Sequence, residues 1–203
     1  MLGLLAILIA YLLGAIPFGF LLVKFTKGAD VRAEGSGNIG ATNVLRTAGR
    51  VEAVATLILD IAKGFVAVWL AAMLTNDAPL WTSLAALAVM AGHAFPVFLR
   101  FKGGKAVASF IGAFLYLTPI PLAVALLLFV IAVARTRHIS AGSILAAGTF
   151  PFGVWMILHP PVEITLAAFL AGAFIVYRHR SNIERLRAGT ENVFTWKKRP
   201  DQT

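Results

Sequence analysis

The chain has 203 residues, of which 59% are apolar and only 13% charged, with a mean hydropathy of +0.84. A soluble domain is about 45–50% apolar and about 25% charged, and a water-soluble fold of this length has too little interior to hide so much apolar surface. The composition specifies an integral membrane protein. The excess of 18 Lys and Arg over 9 Asp and Glu (net +9) then belongs to cytoplasmic loops rather than to a nucleic-acid surface. The lack of any Cys excludes a disulfide scaffold, a thiolate nucleophile and a thiolate metal site.

In chain order, residues 2–23 form a charge-free apolar run long enough to cross a bilayer core of about 30 Å. The run lacks the basic start and small-residue cleavage site of a secretory signal, so it reads as a retained helix. Further apolar runs follow at about 52–74, 80–99, 106–118, 121–134, 141–158 and 162–177. The expected fold is all-α, with seven transmembrane helices in a single polytopic domain spanning 1–203. The run at 106–118 is the short one, at roughly 20 Å of helix, and a re-entrant half paired with 121–134 would serve the charge pattern equally well.

Basic residues set the orientation. Lys24, Lys27, Arg32, Arg46 and Arg50 fall in the first inter-run segment, Arg100, Lys102 and Lys105 in another, and Arg135 and Arg137 in a third. The tail holds Arg178, Arg180, Arg185, Arg187, Lys197, Lys198 and Arg199, so these segments hold 17 of the 18 cations. The alternate breaks near 75–79, 118–121 and 159–163 hold none. By the positive-inside rule the N-terminus is extracytoplasmic and the C-terminus cytoplasmic, with cytoplasmic loops at about 24–50, 92–106, 135–143 and 178–191.

Those loops carry the candidate chemistry. The first reads Gly35-Ser36-Gly37-Asn38-Ile39-Gly40-Ala41-Thr42-Asn43-Val44-Leu45-Arg46. Its glycines permit close backbone approach, and N–H groups at Gly37 and Gly40, hydroxyls and amides at Ser36, Asn38, Thr42 and Asn43, and the Arg46 fork together suit a phosphate. The loop has neither the Gly-Lys-Ser/Thr of a Walker A motif nor a Gly-x-Ser-x-Gly elbow. A flexible polar linker is the plain alternative. The second loop has Gly103-Gly104-Lys105 opening a helix, where a lysine opposes the helix dipole unless an anion is bound. Arg100 and Lys102 read as interfacial anchors.

Asp60 and Lys63 stand one turn apart inside the second apolar run; such ions serve either a site or helix packing. His93 precedes the Gly-Gly-Lys loop, Ser143 lies in the Arg135–Ser143 loop, and His179 and Asn182 share a helix face just past the last run. Arg185, Arg187 and the 197–199 cluster read as contacts to anionic lipid. The four His are scattered, with no His-Glu-x-x-His, so no metal and no other cofactor is expected.

Taken together, GSGNIGATNVLR, GHAFPVFLRFKGGKAVA and RHRSNIERLRAGTE resemble the three motifs of the bacterial acyl-phosphate–glycerol-3-phosphate acyltransferase (PlsY) family. The similarity extends over nearly the whole chain, including Asp60-x-x-Lys63-Gly64. The departures are Ile39 in place of a usual Pro, Ala106 in place of a frequent Gly, and Asn192 in place of a frequent Pro. The resemblance implies transfer of a fatty acyl group from acyl phosphate to the 1-hydroxyl of glycerol 3-phosphate at the cytoplasmic face of a bacterial plasma (inner) membrane. Its partners would be those two substrates and membrane lipid, with no nucleic acid, and the expected state is a monomer. Arg46 and Lys105 would hold the phosphates, and backbone N–H groups with Ser36 or Asn38 would stabilise the oxyanion. The proton acceptor stays open between His93, His179 (either of them oriented by Asp60) and a substrate phosphate. Phosphate is a good leaving group, so no acyl-enzyme is expected. The competing class is a small transporter of phosphorylated metabolites, which would need a polar path that the bare outer loops do not offer.

Overall fold

The structure, a computed structural model, describes residues 1–194, and among them every regular element is helical. Lys197, Lys198 and Arg199, read as lipid contacts, lie outside the described residues. Ten α-helices follow in order: α1 Leu2–Ala15, α2 Phe18–Lys27, α3 Ala41–Thr47, α4 Arg50–Thr75, α5 Pro79–Ala94, α6 Val107–Leu117, α7 Pro119–Thr136, α8 Ile139–Leu158, α9 Val162–Arg178 and α10 Arg180–Arg187.

The first apolar run is not one continuous helix. Pro17 has no N–H to continue the ladder and forces the residue before it out of the helical region; Ile16 accordingly sits at φ −63, ψ 114, and α2 starts afresh at Phe18. Among the described residues five stretches are long and apolar enough to cross a membrane: Leu2–Lys27, Arg50–Thr75, Pro79–Leu99, Pro119–Thr136 and Ile139–Leu158. A sixth arises if α9 and α10, bent by 54°, are taken as one span. The seven-run reading exceeds this because α6 has only 11 residues, about 16 Å of helix against a core of about 30 Å.

Small residues let these helices approach closely, which is how helices associate where water supplies no driving force. Between α4 and α6 the contact is backbone against backbone. A Cβ on Gly64 would come 2.2 Å from the Ser109 carbonyl oxygen, and one on Gly112 would come 1.9 Å from that of Ile61. Deeper in the bundle the rings of Phe110, Phe114 and Phe150 lie 4.9 Å apart in every pairing, two of those at the edge-to-face angle that aromatic quadrupoles favour. These packed helices bring one set of ends together: the N-termini of α4, α6 and α8, and the C-termini of α5, α7 and α9. The loops joining them are those that hold the basic residues.

Candidate active site

A cavity of about 630 Å³ opens among those ends, within the range of small-molecule sites. Twelve of the sequence-derived candidates line it: Ser36, Asn38, Gly40, Thr42, Asn43, Arg46, Asp60, His93, Lys105, Ser143, His179 and Asn182. Residues as far apart as 36 and 182 therefore face one space. The rest of the wall is apolar and runs down between α4, α6, α7 and α8 through Leu57, Phe110, Leu122, Ala125 and Ala147. Val54, Leu57 and Val130 line the cavity yet are 43%, 41% and 58% exposed, so it is open sideways, toward the face that lipid would cover.

The first loop is built around Asn43. Its buried Nδ2 donates toward the carbonyl oxygens of Val31 (2.9 Å), Asn38 (2.9 Å) and Glu34 (3.2 Å), while its Oδ1 accepts the Ser36 N–H at 2.8 Å. The side-chain amide is thus taken up in shaping the loop that presents Ser36 and Asn38. The Asn38 side chain in turn accepts the Gly40 N–H at 2.9 Å. Gly37, at φ 68, donates its N–H to Glu34 and stands off the cavity wall.

Gly103 and Gly104, which the Gly-Gly-Lys pattern offers with Lys105 as phosphate-binding residues, do not donate to the cavity, and for a physical reason. Their N–H groups bond the Ala94 and His93 carbonyl oxygens at 3.2 and 3.1 Å, satisfying the end of α5. Neither residue lines the cavity. Gly104 lies flush on the His93 ring, where a Cβ would come 2.1 Å from Nε2. The glycines therefore set the loop's path and leave the approach to the cavity to Lys105, Ala106, Val107 and Ala108 at the start of α6.

Lys105 heads a relay of polar groups that converges on Glu191. Its Nζ donates to Asn182 Oδ1. Asn182 Nδ2 donates to Glu191 Oε1 at 2.8 Å, Ser140 Oγ donates to the same oxygen at 3.0 Å, and Arg185 Nε donates to Glu191 Oε2 at 2.7 Å. Burial raises the Glu191 pKa, but the bonds from Asn182, Arg185 and Ser140 outweigh it and hold the carboxyl below its ordinary range. Burial pushes the Lys105 ammonium down to about 8, with Glu191 opposing and Arg185, Arg46 and Arg178 adding to the fall. The sequence motifs do not single out Glu191 or Ser140, and Arg185, which by sequence reads as a lipid contact, is instead bonded to Glu191. The available signal is Gly189, a residue suited to reversing the chain just ahead of Glu191; in the structure it stands at φ 69 and turns the chain back. The segment after it lies on the α7–α8 turn, where Phe194 N–H bonds the Arg137 carbonyl at 2.7 Å.

One turn before Asn182, His179 Nδ1 lies 2.8 Å from the Ile175 carbonyl. A carbonyl only accepts, so that contact assigns the proton to Nδ1 and leaves Nε2 as a lone-pair acceptor. Deeper down, Lys63 Nζ sits 2.8 Å from Asp60 Oδ1, 2.8 Å from the Ile16 carbonyl at the α1–α2 break, and 5.6 Å from the Phe18 ring centroid. Asp60 Oδ1 is 3.6 Å from His93 Nδ1, too far for a hydrogen bond. Among the described residues no group of acidic or histidine side chains could hold a metal ion.

Comparison with known proteins identifies the family. A family described as Glycerol-3-phosphate acyltransferase matches residues 4–189. A curated Glycerol-3-phosphate acyltransferase of Desulforamulus reducens is 50% identical over 187 residues, covering 90% of each chain. One from Geotalea daltonii is 48% identical, covering 91% of this chain and 94% of the relative. Two crystal structures of PlsY, an integral membrane glycerol 3-phosphate acyltransferase, are similar throughout. The glycerol 3-phosphate form has TM-score 0.89 and 37% identity, covering 95% of this chain and 96% of that one. The lysophosphatidic acid form has TM-score 0.87 and 36% identity, covering 96% of each.

Proposed function

The chain belongs to the glycerol-3-phosphate acyltransferase family, and from that premise we propose that it moves a fatty acyl group from acyl phosphate to the 1-hydroxyl of glycerol 3-phosphate. The products are lysophosphatidate and inorganic phosphate, the first acylation of phospholipid synthesis. The observation that carries this reading is a single cavity with a cationic, hydroxyl- and amide-lined end and an apolar wall open to the side. Two phosphates and a greasy chain need that combination.

Arg46 and Lys105 hold the two phosphates, and N–H groups at the start of α6 add to Lys105. The acyl chain lies along Leu57, Phe110 and Leu122, reached from the bilayer. The glycerol hydroxyl oxygen attacks the acyl carbonyl carbon, and the carbonyl oxygen takes up negative charge beside Ser36 and Asn38. The acyl C–O bond to phosphate then breaks, and the phosphate departs with the electron pair. The hydroxyl proton passes to His179 Nε2 or to a phosphate oxygen; His93, buried behind Gly104 and flanked by Asp60, supports the loop. Direct attack needs no acyl-enzyme. Thr42, Gly40, Ser143 and Asn182 complete the polar end, with Asn43 acting through the loop it shapes.

The same reading places the polar end at the cytoplasmic side of a bacterial plasma membrane, on a monomeric single domain with its N-terminus outside and seven passes, α6 being a short one. The test is lysophosphatidate formation from labelled glycerol 3-phosphate by purified protein in lipid, with palmitoyl phosphate or palmitoyl-CoA as donor. Product from palmitoyl phosphate alone is expected. Product from palmitoyl-CoA alone would overturn the donor, and product from neither would overturn the reaction.

A further inference from the structure

Arg178, the last residue of α9, has no place in the mechanism above, and its neighbours show what it does. Its Nη2 donates to the Gly104 carbonyl oxygen at 2.8 Å and lies 3.4 Å from that of Gly103. Its guanidinium sits over the Phe95 ring, 5.1 Å from the centroid, so ring and fork fix its position together.

A trans peptide is planar, with its C=O and N–H pointing in opposite directions. Anchoring a carbonyl therefore aims the N–H of the next residue. The Gly103–Gly104 peptide shows this: its oxygen faces Arg178 while its N–H meets the His93 carbonyl on the far side at 3.1 Å. The Gly104–Lys105 peptide is held more firmly at its oxygen, and its N–H belongs to Lys105, which lines the cavity. Among the described residues no backbone carbonyl accepts that N–H. A carbonyl bonded to a cation also polarises its peptide, making the opposite N–H a stronger donor.

We propose that Arg178 is a positioning residue for phosphate binding: by clamping the Gly104 carbonyl from behind, it turns the Lys105 N–H into the cavity as an anion donor. This rests on the reading of the cavity as a phosphate-substrate site, but it can be tested separately from the reaction.

Full-length protein, Arg178→Gln and Arg178→Lys are compared for equilibrium binding of radiolabelled glycerol 3-phosphate and inorganic phosphate, and for steady-state kinetics with both substrates. Loss of the clamp weakens binding of at least one probe about tenfold. It also raises the matching KM with kcat within about twofold, because the donor serves ground and transition states alike. Arg178→Lys, with the charge but not the fork, falls in between. Phe95→Leu keeps Arg178 but removes the ring beneath it, and gives a shift of about threefold in the same direction, which covers the case of a poorly folded Arg178→Gln. If the parent binds the probes but forms no lysophosphatidate, the reaction fails and the binding comparison still decides the clamp. Unchanged binding and KM in folded Arg178 and Phe95 variants, with only thermal stability lowered, would make Arg178 a strut and overturn the proposal. Parent protein that binds neither probe would overturn it too.

Discussion

Two lysines, Lys63 and Lys105, are both withdrawn from water, and the difference between their surroundings separates an ion tied into helix packing from one that faces a cavity. Lys63 is 4% exposed and fully occupied: a carboxylate at 2.8 Å, a carbonyl at 2.8 Å and an aromatic face surround its ammonium. It ties α4 to the Ile16 carbonyl at the α1–α2 break. Lys105 has one neutral partner, the Asn182 amide oxygen, and otherwise faces a cavity. Its charge is held in place by a relay ending in Glu191 and has no carboxylate bonded directly to it. A cation anchored through a neutral amide beside an open space is prepared for an anion that arrives from outside.

The largest effect expected from this contrast is on folding. Lys63→Met leaves Asp60 buried without its cation and should cost about 3–5 kcal/mol, while the double variant Asp60→Asn/Lys63→Met should recover much of that. Thermal unfolding in detergent measures both; equal losses in single and double variants would dissolve the pair. Next comes Glu191→Gln, which weakens the bonds from Arg185, Asn182 and Ser140. About 2 kcal/mol of stability should go, together with activity as Lys105 loses its anchor. Unchanged thermal midpoint and rate would separate the tail from the site.

The pH dependence is smaller and more diagnostic. With its pKa pushed down to about 8, Lys105 is charged below that pH and loses its proton above it. On the proposed role, phosphate affinity should be full below pH 8, and the matching KM should rise as pH passes 8, by up to about tenfold per unit. Lys105→Arg keeps its charge throughout and should flatten the profile; identical profiles would assign the titration elsewhere. The smallest effect lies beside it. Ala106 sits at φ 62, a left-handed conformation that disfavours a Cβ. Ala106→Gly should raise stability by about 0.5–1 kcal/mol, and a fall in the unfolding midpoint would contradict that strain.

Much of this was legible in the sequence because hydropathy and charge are read locally. The alternation of basic loops places Ser36, Arg46, Lys105 and Asn182 on one side of the membrane, and the structure faces them on one cavity. The break at Ile16 was hidden because an unbroken apolar run masks the one residue, Pro17, that interrupts it. Partners across long separations were also hidden: nothing near Lys63 announces a carbonyl 47 positions away, and nothing near Arg178 announces Gly104. Glycines misled in a different way. Gly103 and Gly104 suggested N–H groups for a phosphate, whereas close packing on His93 and the end of α5 requires their lack of a Cβ.

The most direct test of the contrast is kcat/KM for lysophosphatidate formation, per folded molecule, in Lys105→Ala and Lys63→Met side by side. Losing a cation aimed at a substrate phosphate should lower the value about 100-fold or more, while losing the structural cation should leave it within about fivefold in the protein that folds. A loss confined to Lys63→Met, with Lys105→Ala near the parent value, would contradict the account.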